Sequence, residues 1–281
     1  MPVLLANTER CKMFEPKLGA SLIYLCPEMA QDSLNALAKS RVGTLEIALS
    51  LFKDDAGGAK LAALRSMLAN SGVRAASVHS LFGAADDLST TDETARTAAV
   101  ATALKAVDLA VAIDAKVIVF HASSEPIPPA QRQARLEQAY RSFVAIGEYC
   151  LRMHRRPAIE RLPRSCLGNT IAELTQLADR LGAPFGVCLD TNHGMAGYAS
   201  LADDVRTLGS RLIATHLSDY DGVDEKHWLP GRGVVDWAGF LAALRDIDYS
   251  GPFNYECKLA DQTPQQRIAQ LEENFDWISK L

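Results

Sequence analysis

The segment GVCLDTNHG, residues 186–194, leads from a small and apolar stretch directly into Asp190, Asn192 and His193. The side chains at 186–189 are typical of a buried strand, and that strand then ends on a carboxylate and an imidazole. Two interpretations are open here. Either Asp190 caps a following helix while His193 lies in a solvated loop, or the strand delivers a ligand pair into a pocket.

Similar polar residues end most of the other predicted strands. Side chains alternate between the two faces of a strand, so outward Phe120 and Ile159 imply inward His121 and Glu160. Applied to every strand, this alternation predicts inward polar residues at six strand ends: His79, His121, Glu160, Asp190, His216 and Glu256. Four more residues are predicted to lie inward or just past the strand ends: Glu46, His193, Glu225 and His227.

Clustered carboxylates and imidazoles predict a divalent metal site. A single buried His or Glu is more often a hydrogen-bonded structural residue, but that does not explain convergence from six strands. Carboxylates packed together raise one another's pKa, and a divalent ion removes that conflict while also using neutral imidazoles. The absence of thiolates favours Mn²⁺, Zn²⁺, Co²⁺ or Fe²⁺, with Mg²⁺ less favoured as histidines accumulate. We expect one ion and leave up to three open.

The elements that must position these residues alternate along the chain. Eight short apolar segments, from ASLIYL (20–25) to PFNYEC (252–257), are separated by longer amphipathic ones. Helix starts are predicted at Thr90 with Glu93, Thr170 with Glu173, Asp236, and Thr263 before Pro264. On the first of these helices, Val100, Leu104, Val107 and Val111 are predicted to form the buried face.

Eight strand–helix units without a Ser/Gly-rich linker favour a single (β/α)8 TIM barrel, with residues 1–281 as one domain. A doubly wound sheet is less favoured, because no Gly-rich phosphate motif follows the first strand.

The composition excludes several functional classes. The chain has 281 residues, 48% of them hydrophobic and 22% charged, and a net charge of −5. This charge gives no overall attraction to nucleic acid or anionic membranes. No signal peptide and no 18-residue apolar stretch is found, and the cysteines are scattered without CxxC pairs. We therefore expect a cytoplasmic protein with no membrane partner, and we leave a homo-oligomer open.

The motifs LDTNH, HLSD with PGRGVVDW downstream, and YSGPFNYE resemble the xylose isomerase-like TIM-barrel superfamily. This superfamily contains sugar isomerases and epimerases, inosose-processing enzymes and the endonuclease IV type of apurinic endonuclease. By resemblance to the ketose 3-epimerase and inosose isomerase branches, one metal would be held by Glu160, Asp190, His216 and Glu256. The two glutamates would also act as acid and base, and His193 would contact the substrate.

The resemblance thus implies a metal-dependent isomerase or epimerase of a sugar, inosose or related polyol. One glutamate would remove the proton beside the substrate carbonyl, giving a metal-bound enediolate, and the other would return a proton. Further substrate contacts are expected from His79, His121, His227, Trp228 and Lys258. Many sugar-handling members place an Arg two residues before the Pro-Gly turn, whereas this chain has His227 and Trp228-Leu229 in that region. The identity of the substrate therefore stays open.

Endonuclease IV offers the alternative, a multi-zinc phosphodiester hydrolase. Its additional ligands correspond to His79, His121 and the Glu225-Lys226-His227 segment, with Glu in place of Asp. Against this alternative stand the acidic net charge and the lack of a basic track for DNA, so no nucleic-acid partner is expected. Only Arg161, Arg164 and Arg232 are predicted near the strand ends. A barrel that binds metal and sugar without turnover is the third interpretation.

Overall fold

The computed structural model describes residues 15–259 and 262–281. Eight parallel strands form a closed barrel in sequence order, and the last strand pairs with the first. The strands are β1 (Leu18–Ser21), β2 (Thr44–Ala48), β3 (Arg74–His79), β4 (Val117–Phe120), β5 (Arg156–Glu160), β6 (Gly186–Asp190), β7 (Leu212–Leu217) and β8 (Phe253–Tyr255). The predicted (β/α)8 TIM barrel is confirmed.

Helices lie between the strands and cover the barrel. They are α1 (Leu22–Leu25), α2 (Gln31–Ala38), α3 (Ala59–Ser71), α4 (Glu93–Ala112), α5 (Arg132–Arg152), α6 (Ile171–Leu181), α7 (Leu201–Leu208), α8 (Trp237–Asp246) and α9 (Pro264–Ile278). No helix within the described residues combines the length and apolarity needed to cross a bilayer. Cys11 and the rest of the predicted domain's first 14 residues lie outside the described part.

The first strand is shorter than predicted. ASLIYL was expected to be a strand throughout, but β1 ends at Ser21 and residues 22–25 form a helical turn. Leu22 and Leu25, three positions apart, are both buried, which is helical rather than strand spacing. A short apolar run does not distinguish the two conformations by itself. The turn places Tyr24 at the mouth of the barrel.

Three of the four predicted helix starts are confirmed and one is corrected. Thr170, Asp236 and Thr263 each accept a hydrogen bond from the backbone N–H three residues later. Helix α4, however, is capped by Asp92 rather than Thr90, because the Asp92 carboxylate accepts from Ala95 N at 2.9 Å. Asp is a better N-cap than Thr and lies directly before the first helical residue.

The buried face of α4 also differs from the prediction. Val107 is buried, whereas Val111 is 42% exposed. The helix packs through a row of small side chains: Ala99, Ala103, Ala106 and Ala110. Val111 lies one residue, or about 100° of helical rotation, away from that row, so it points toward solvent.

The inside of the barrel has two layers. Val119, Ala158, Cys188 and Ala214 form a small apolar cluster in the lumen. Alternate residues such as Ile118, Ile159 and Leu189 pack outward in the main hydrophobic core. Above the apolar layer the strands end in polar residues, as the alternation predicted. The lumen is therefore closed below and polar at its C-terminal end.

Candidate metal centre

Four side chains from consecutive strand ends meet at the top of β5–β8. Glu160, Asp190, His216 and Glu256 each offer a ligand atom, and these atoms lie within 4.8 Å of one another. His216 Nδ1 lies 3.2 Å from Glu160 Oε1 and 2.7 Å from Glu256 Oε2. Parallel pairing sets Asp190 opposite His216. The structure thus brings together the four residues predicted to hold the metal.

This donor set fits a divalent cation. Asp190 Oδ2 and Glu256 Oε2 are both buried. Among the described residues Asp190 Oδ2 forms no hydrogen bond, and Glu256 Oε2 has only the contact with His216 Nδ1. A buried carboxylate oxygen without a donor carries a large desolvation cost. Burial accordingly raises the pKa of Asp190. A cation contacted by both oxygens would remove this cost, and a set of three carboxylates and one imidazole suits a first-row divalent metal.

Three further histidines lie at the same end of the barrel. In each, Nδ1 lies within hydrogen-bonding distance of a backbone carbonyl. The pairs are His79 with Ser80 (2.8 Å), His193 with Arg161 (2.9 Å) and His227 with Glu256 (3.1 Å). Because a carbonyl oxygen only accepts, these Nδ1 atoms carry hydrogens, and in the neutral ring Nε2 keeps its lone pair. Such bonds orient the histidines of metal sites.

His216 is oriented by a carboxylate instead. Its Nε2 lies 3.0 Å from Glu46 Oε1, on the side of the ring away from the four-residue group. Ser77 Oγ donates to Glu46 Oε2 at 2.8 Å. The inward position predicted for Glu46 is confirmed, but its contact with His216 crosses the barrel from β2 to β7 and left no signal in the sequence.

Glu160 is shared with a second group of potential ligands. His79 Nε2 and His121 Nε2 lie 3.1 Å and 3.0 Å from Glu160 Oε2. Burial acts to lower the pKa of His79, but the hydrogen bond and charge of Glu160 raise it to about 9. Burial also acts to raise the pKa of Glu160, but the charges of neighbouring imidazoles hold it well below its ordinary value.

A third group lies at the rim and consists of His193, Glu225 and His227. Nε2 of each histidine is 3.8 Å from Glu225 Oε2. Burial acts to raise the pKa of Glu225, but His227, His193 and Arg164 hold it at about 2. All nine residues predicted as ligands or additional ligands therefore fall into three adjoining groups, each of which could hold an ion.

A cavity of about 320 Å³, called here the central cleft, opens above these groups. His79, His121, His193 and His227 line it, as predicted for substrate contacts. Tyr24, Phe82 and Arg164 also line the cleft, although none of them was predicted to contact the substrate and Arg164 was predicted only to lie near the strand ends. Tyr24 was hidden by the overlong first strand, and the other two lie in loops where no periodicity operates.

Trp228 and Lys258 were predicted to contact the substrate, but neither lines the central cleft. The Trp228 backbone pairs with Asp219, and its side chain is 39% exposed. Lys258 donates its backbone N–H to the His227 carbonyl at 2.8 Å, and its side chain is exposed. The inward placement of Lys258 assumed that strand alternation continues past Glu256, but β8 ends at Tyr255.

The fold agrees with a comparison against protein families. Residues 34–281 match the family described as xylose isomerase-like TIM barrel. The chain belongs to this family.

Sequence relatives cover only parts of the chain. An uncharacterized protein of Sinorhizobium fredii is 28% identical over 173 residues, which are 60% of this chain and 54% of the relative. A D-psicose 3-epimerase of Enterocloster bolteae is 34% identical over 84 residues, 30% of this chain and 26% of the relative. The chain thus matches about half or less of the length of these relatives.

Solved structures match nearly the whole chain. A D-allulose 3-epimerase of Methylomonas in complex with D-allulose has a TM-score of 0.79 and 21% identity, covering 95% of this chain and 98% of that one. A 3-keto-D-glucoside 4-epimerase of E. coli has a TM-score of 0.78 and 15% identity, covering 95% and 100%. At these identities the likeness is one of fold.

Proposed function

We propose that this protein is a divalent-metal-dependent isomerase or epimerase of a sugar, inosose or related polyol. The main support for this proposal is the pair Glu160 and Glu256. Both carboxylates lie close to His216 Nδ1, and both residues line the central cleft. Two carboxylates at one small-molecule cleft suit the removal and return of a proton. The likeness to sugar epimerases in sequence and fold supports the same reaction class.

Glu160, Asp190, His216 and Glu256 would hold the ion, which would polarise a bound carbonyl and so acidify the adjacent C–H. One glutamate accepts that proton on a carboxylate oxygen. The other glutamate would pass a proton taken from solvent to the opposite face or to the neighbouring carbon, and the first would release its proton to solvent. The Nε2 atom of His193 is available to bind and orient a substrate hydroxyl, because its Nδ1 atom is fixed by the Arg161 carbonyl.

The wider setting of this activity is also a proposal. We expect residues 1–281 to act as one domain in the cytoplasm, with a carbohydrate as the small-molecule partner. The described cysteines are free and buried, which agrees with a reducing compartment. The identity of the ion, the number of ions and the assembly into a homo-oligomer stay predictions.

A second candidate, a phosphodiester hydrolase with several metals, is favoured by one observation, the three adjoining ligand groups. The arginines near the cleft argue against it. Arg161 is buried and paired with Asp204 at 2.7 Å, and Arg164 is paired with Glu125 and Glu225. Among the three arginines predicted near the strand ends, only Arg232 is left exposed without an ion pair in the described chain. One such arginine is too few to neutralise a duplex backbone.

The two candidates are separated by product analysis. The protein, loaded in turn with Mn²⁺, Zn²⁺ and Co²⁺, is incubated in D₂O with a panel of ketoses and inososes and with an abasic-site duplex. The epimerase or isomerase proposal expects a mass-neutral rearrangement with solvent deuterium at the reacting carbon. Cleavage of the duplex by the wild type and its loss in His227→Ala would establish the hydrolase instead. Failure to bind any of these ions would overturn both.

A further inference from the structure

A second cavity, called here the side cavity, adjoins the central cleft on the β1–β3 side of the barrel. Its volume is about 230 Å³. Four residues line both cavities and form the boundary between them: Tyr24, His79, Phe82 and Glu256. A ligand bound at the central cleft can therefore extend past Glu256 without leaving the protein surface.

The side cavity contains polar groups that the protein leaves unpaired. The hydroxyls of Ser21, Ser50 and Ser80 line it and form no hydrogen bond within residues 15–259 and 262–281. Lys53, an exposed residue, also lines it, and its ammonium has no ion-pair partner within the same ranges. Ser21 is 2% exposed and Ser80 is 5% exposed. Each hydroxyl can donate one hydrogen bond and accept two, so these groups are available to a polar ligand.

An aromatic ring stands at the boundary between the cavities. Phe82 is 60% exposed although it is a large apolar residue. It is held in place by two histidines, with ring centroids 4.4 Å from His121 and 5.4 Å from His79. An exposed aromatic face beside unpaired hydroxyls matches the two surfaces of a sugar ring, which has an apolar C–H face and a polar hydroxyl edge.

We propose that the side cavity binds a second glycosyl unit, so that the substrate is a glycoside of the sugar and not a free monosaccharide. This inference rests on the proposed function for the reacting unit. A phosphate in the side cavity is less well supported, because Lys53 is the one lysine or arginine among the described residues that line it, and Glu256 lines the same space. Three hydroxyls and an aromatic face suit a neutral polyhydroxyl group instead.

The test compares D-fructose with two of its glucosides, maltulose and palatinose, which keep the free carbonyl and the adjacent hydroxyl. Binding to the Mn²⁺-loaded protein is measured by calorimetry. We expect at least one glucoside to bind about tenfold more tightly than D-fructose, the gain that one or two additional hydrogen bonds supply. Equal or weaker binding of both glucosides would overturn the inference.

Ser50→Leu fills the side cavity at a half-buried position that does not line the central cleft. It should abolish the preference for the glucoside while leaving D-fructose binding unchanged, and Lys53→Ala should reduce the preference severalfold. Ser279→Leu makes the same substitution at an exposed position at the end of α9 and should change neither. A preference that survives Ser50→Leu in a protein of unchanged Tm would contradict the assignment.

Turnover is recorded separately from binding. If the proposed function is wrong, no probe will give an isomerised product, but the binding preference and its loss in Ser50→Leu will remain. If only the side-cavity assignment is wrong, D-fructose and its glucosides will be processed alike in the wild type and in Ser50→Leu.

Discussion

The two ends of the barrel each contain a cavity, and the larger one is not the chemical site. The cavity at the N-terminal ends of the strands measures about 430 Å³ and is lined by Lys17, Arg74 and Lys116 together with apolar residues. The central cleft at the opposite end measures about 320 Å³. The difference lies in the side chains, because only the upper end brings carboxylates and imidazoles within ligand distance among the described residues.

The two ends also differ in how their charges are satisfied. At the lower end Lys116 pairs with Asp114, and both side chains are largely exposed. At the upper end Asp190 Oδ2 is buried without any hydrogen bond among the described residues. Exposed charges are solvated and need no ligand, whereas buried unpaired oxygens do. In this protein the chemical site is therefore marked by unsatisfied ligand atoms and not by cavity size.

The largest expected effect at the upper end is on proton transfer. Glu160→Gln and Glu256→Gln should each lower turnover by ~10²–10⁴-fold, because an amide does not accept a proton at neutral pH. Gln preserves the volume, so the fold should persist. Activity is compared at saturating metal with the true substrate in D₂O. Glu148→Gln, an exposed position on α5, is the control. Near-normal turnover in both site variants would refute the assigned chemistry.

Removal of the metal should abolish activity and lower the Tm. An ion present at 100 times its dissociation constant stabilises the folded state by about 2.7 kcal/mol. Scanning calorimetry of the chelated protein, followed by addition of Mn²⁺, Zn²⁺ or Co²⁺, measures this difference. A Tm that none of the three ions changes would mean that the upper end does not bind metal.

Glu46→Gln should weaken metal binding by about 10–100-fold, the usual effect of losing the acceptor behind a ligating histidine. Glu46 accepts from His216 Nε2 and thereby leaves Nδ1 free for the centre. Metal titration of the variant is combined with the ¹⁵N chemical shifts of His216 in the metal-free protein. If the metal affinity of the variant and the tautomer of His216 are both unchanged, Glu46 does not orient His216 and only fills space in the barrel.

Metal binding should also release protons at neutral pH. Burial acts to lower the pKa of His193, but Asp190 and Glu160 raise it to about 10, and the pKa of His79 is about 9. These imidazoles are therefore protonated in the metal-free protein, and the ion must displace the protons. Affinity should fall as the pH falls. Calorimetry in two buffers of different ionisation enthalpy counts the protons, and an identical heat in both would contradict the prediction.

The same raised pKa values fix the sign of the pH dependence of folding. Their stabilisation of the metal-free protein is fully present below about pH 6.5, the unfolded pKa, and is lost as the pH rises through 9 to 10. The free energy of unfolding of the metal-free protein should therefore decrease above neutral pH. Denaturant titrations between pH 6 and 10 measure this, and a stability that rises over that interval would refute it.

The strand-end ligands could be predicted because strand geometry has a fixed period of two residues. Glu160, Asp190 and His216 end apolar strands, so their outward neighbours reveal their direction. Beyond the end of a strand this alternation no longer predicts the direction of a side chain. Lys258 was misplaced for that reason, and Phe82 was not predicted as a lining residue because loop conformation depends on tertiary contacts. The pairing of Glu46 with His216 depends on barrel closure, which no local pattern encodes.

The smallest effect is expected at the lower end of the barrel, and it tests the comparison most directly. Lys116→Ala removes one member of an exposed ion pair with Asp114. Exposed pairs contribute about 0–1 kcal/mol, so the Tm should change little. Metal affinity and turnover should stay the same within about twofold, because Lys116 precedes β4 while the ligands follow the opposite ends of their strands. Calorimetry and the deuterium assay measure both quantities. If Lys116→Ala lowers turnover while its Tm and metal affinity are unchanged, the lower cavity must influence the upper one, and the two ends are not independent.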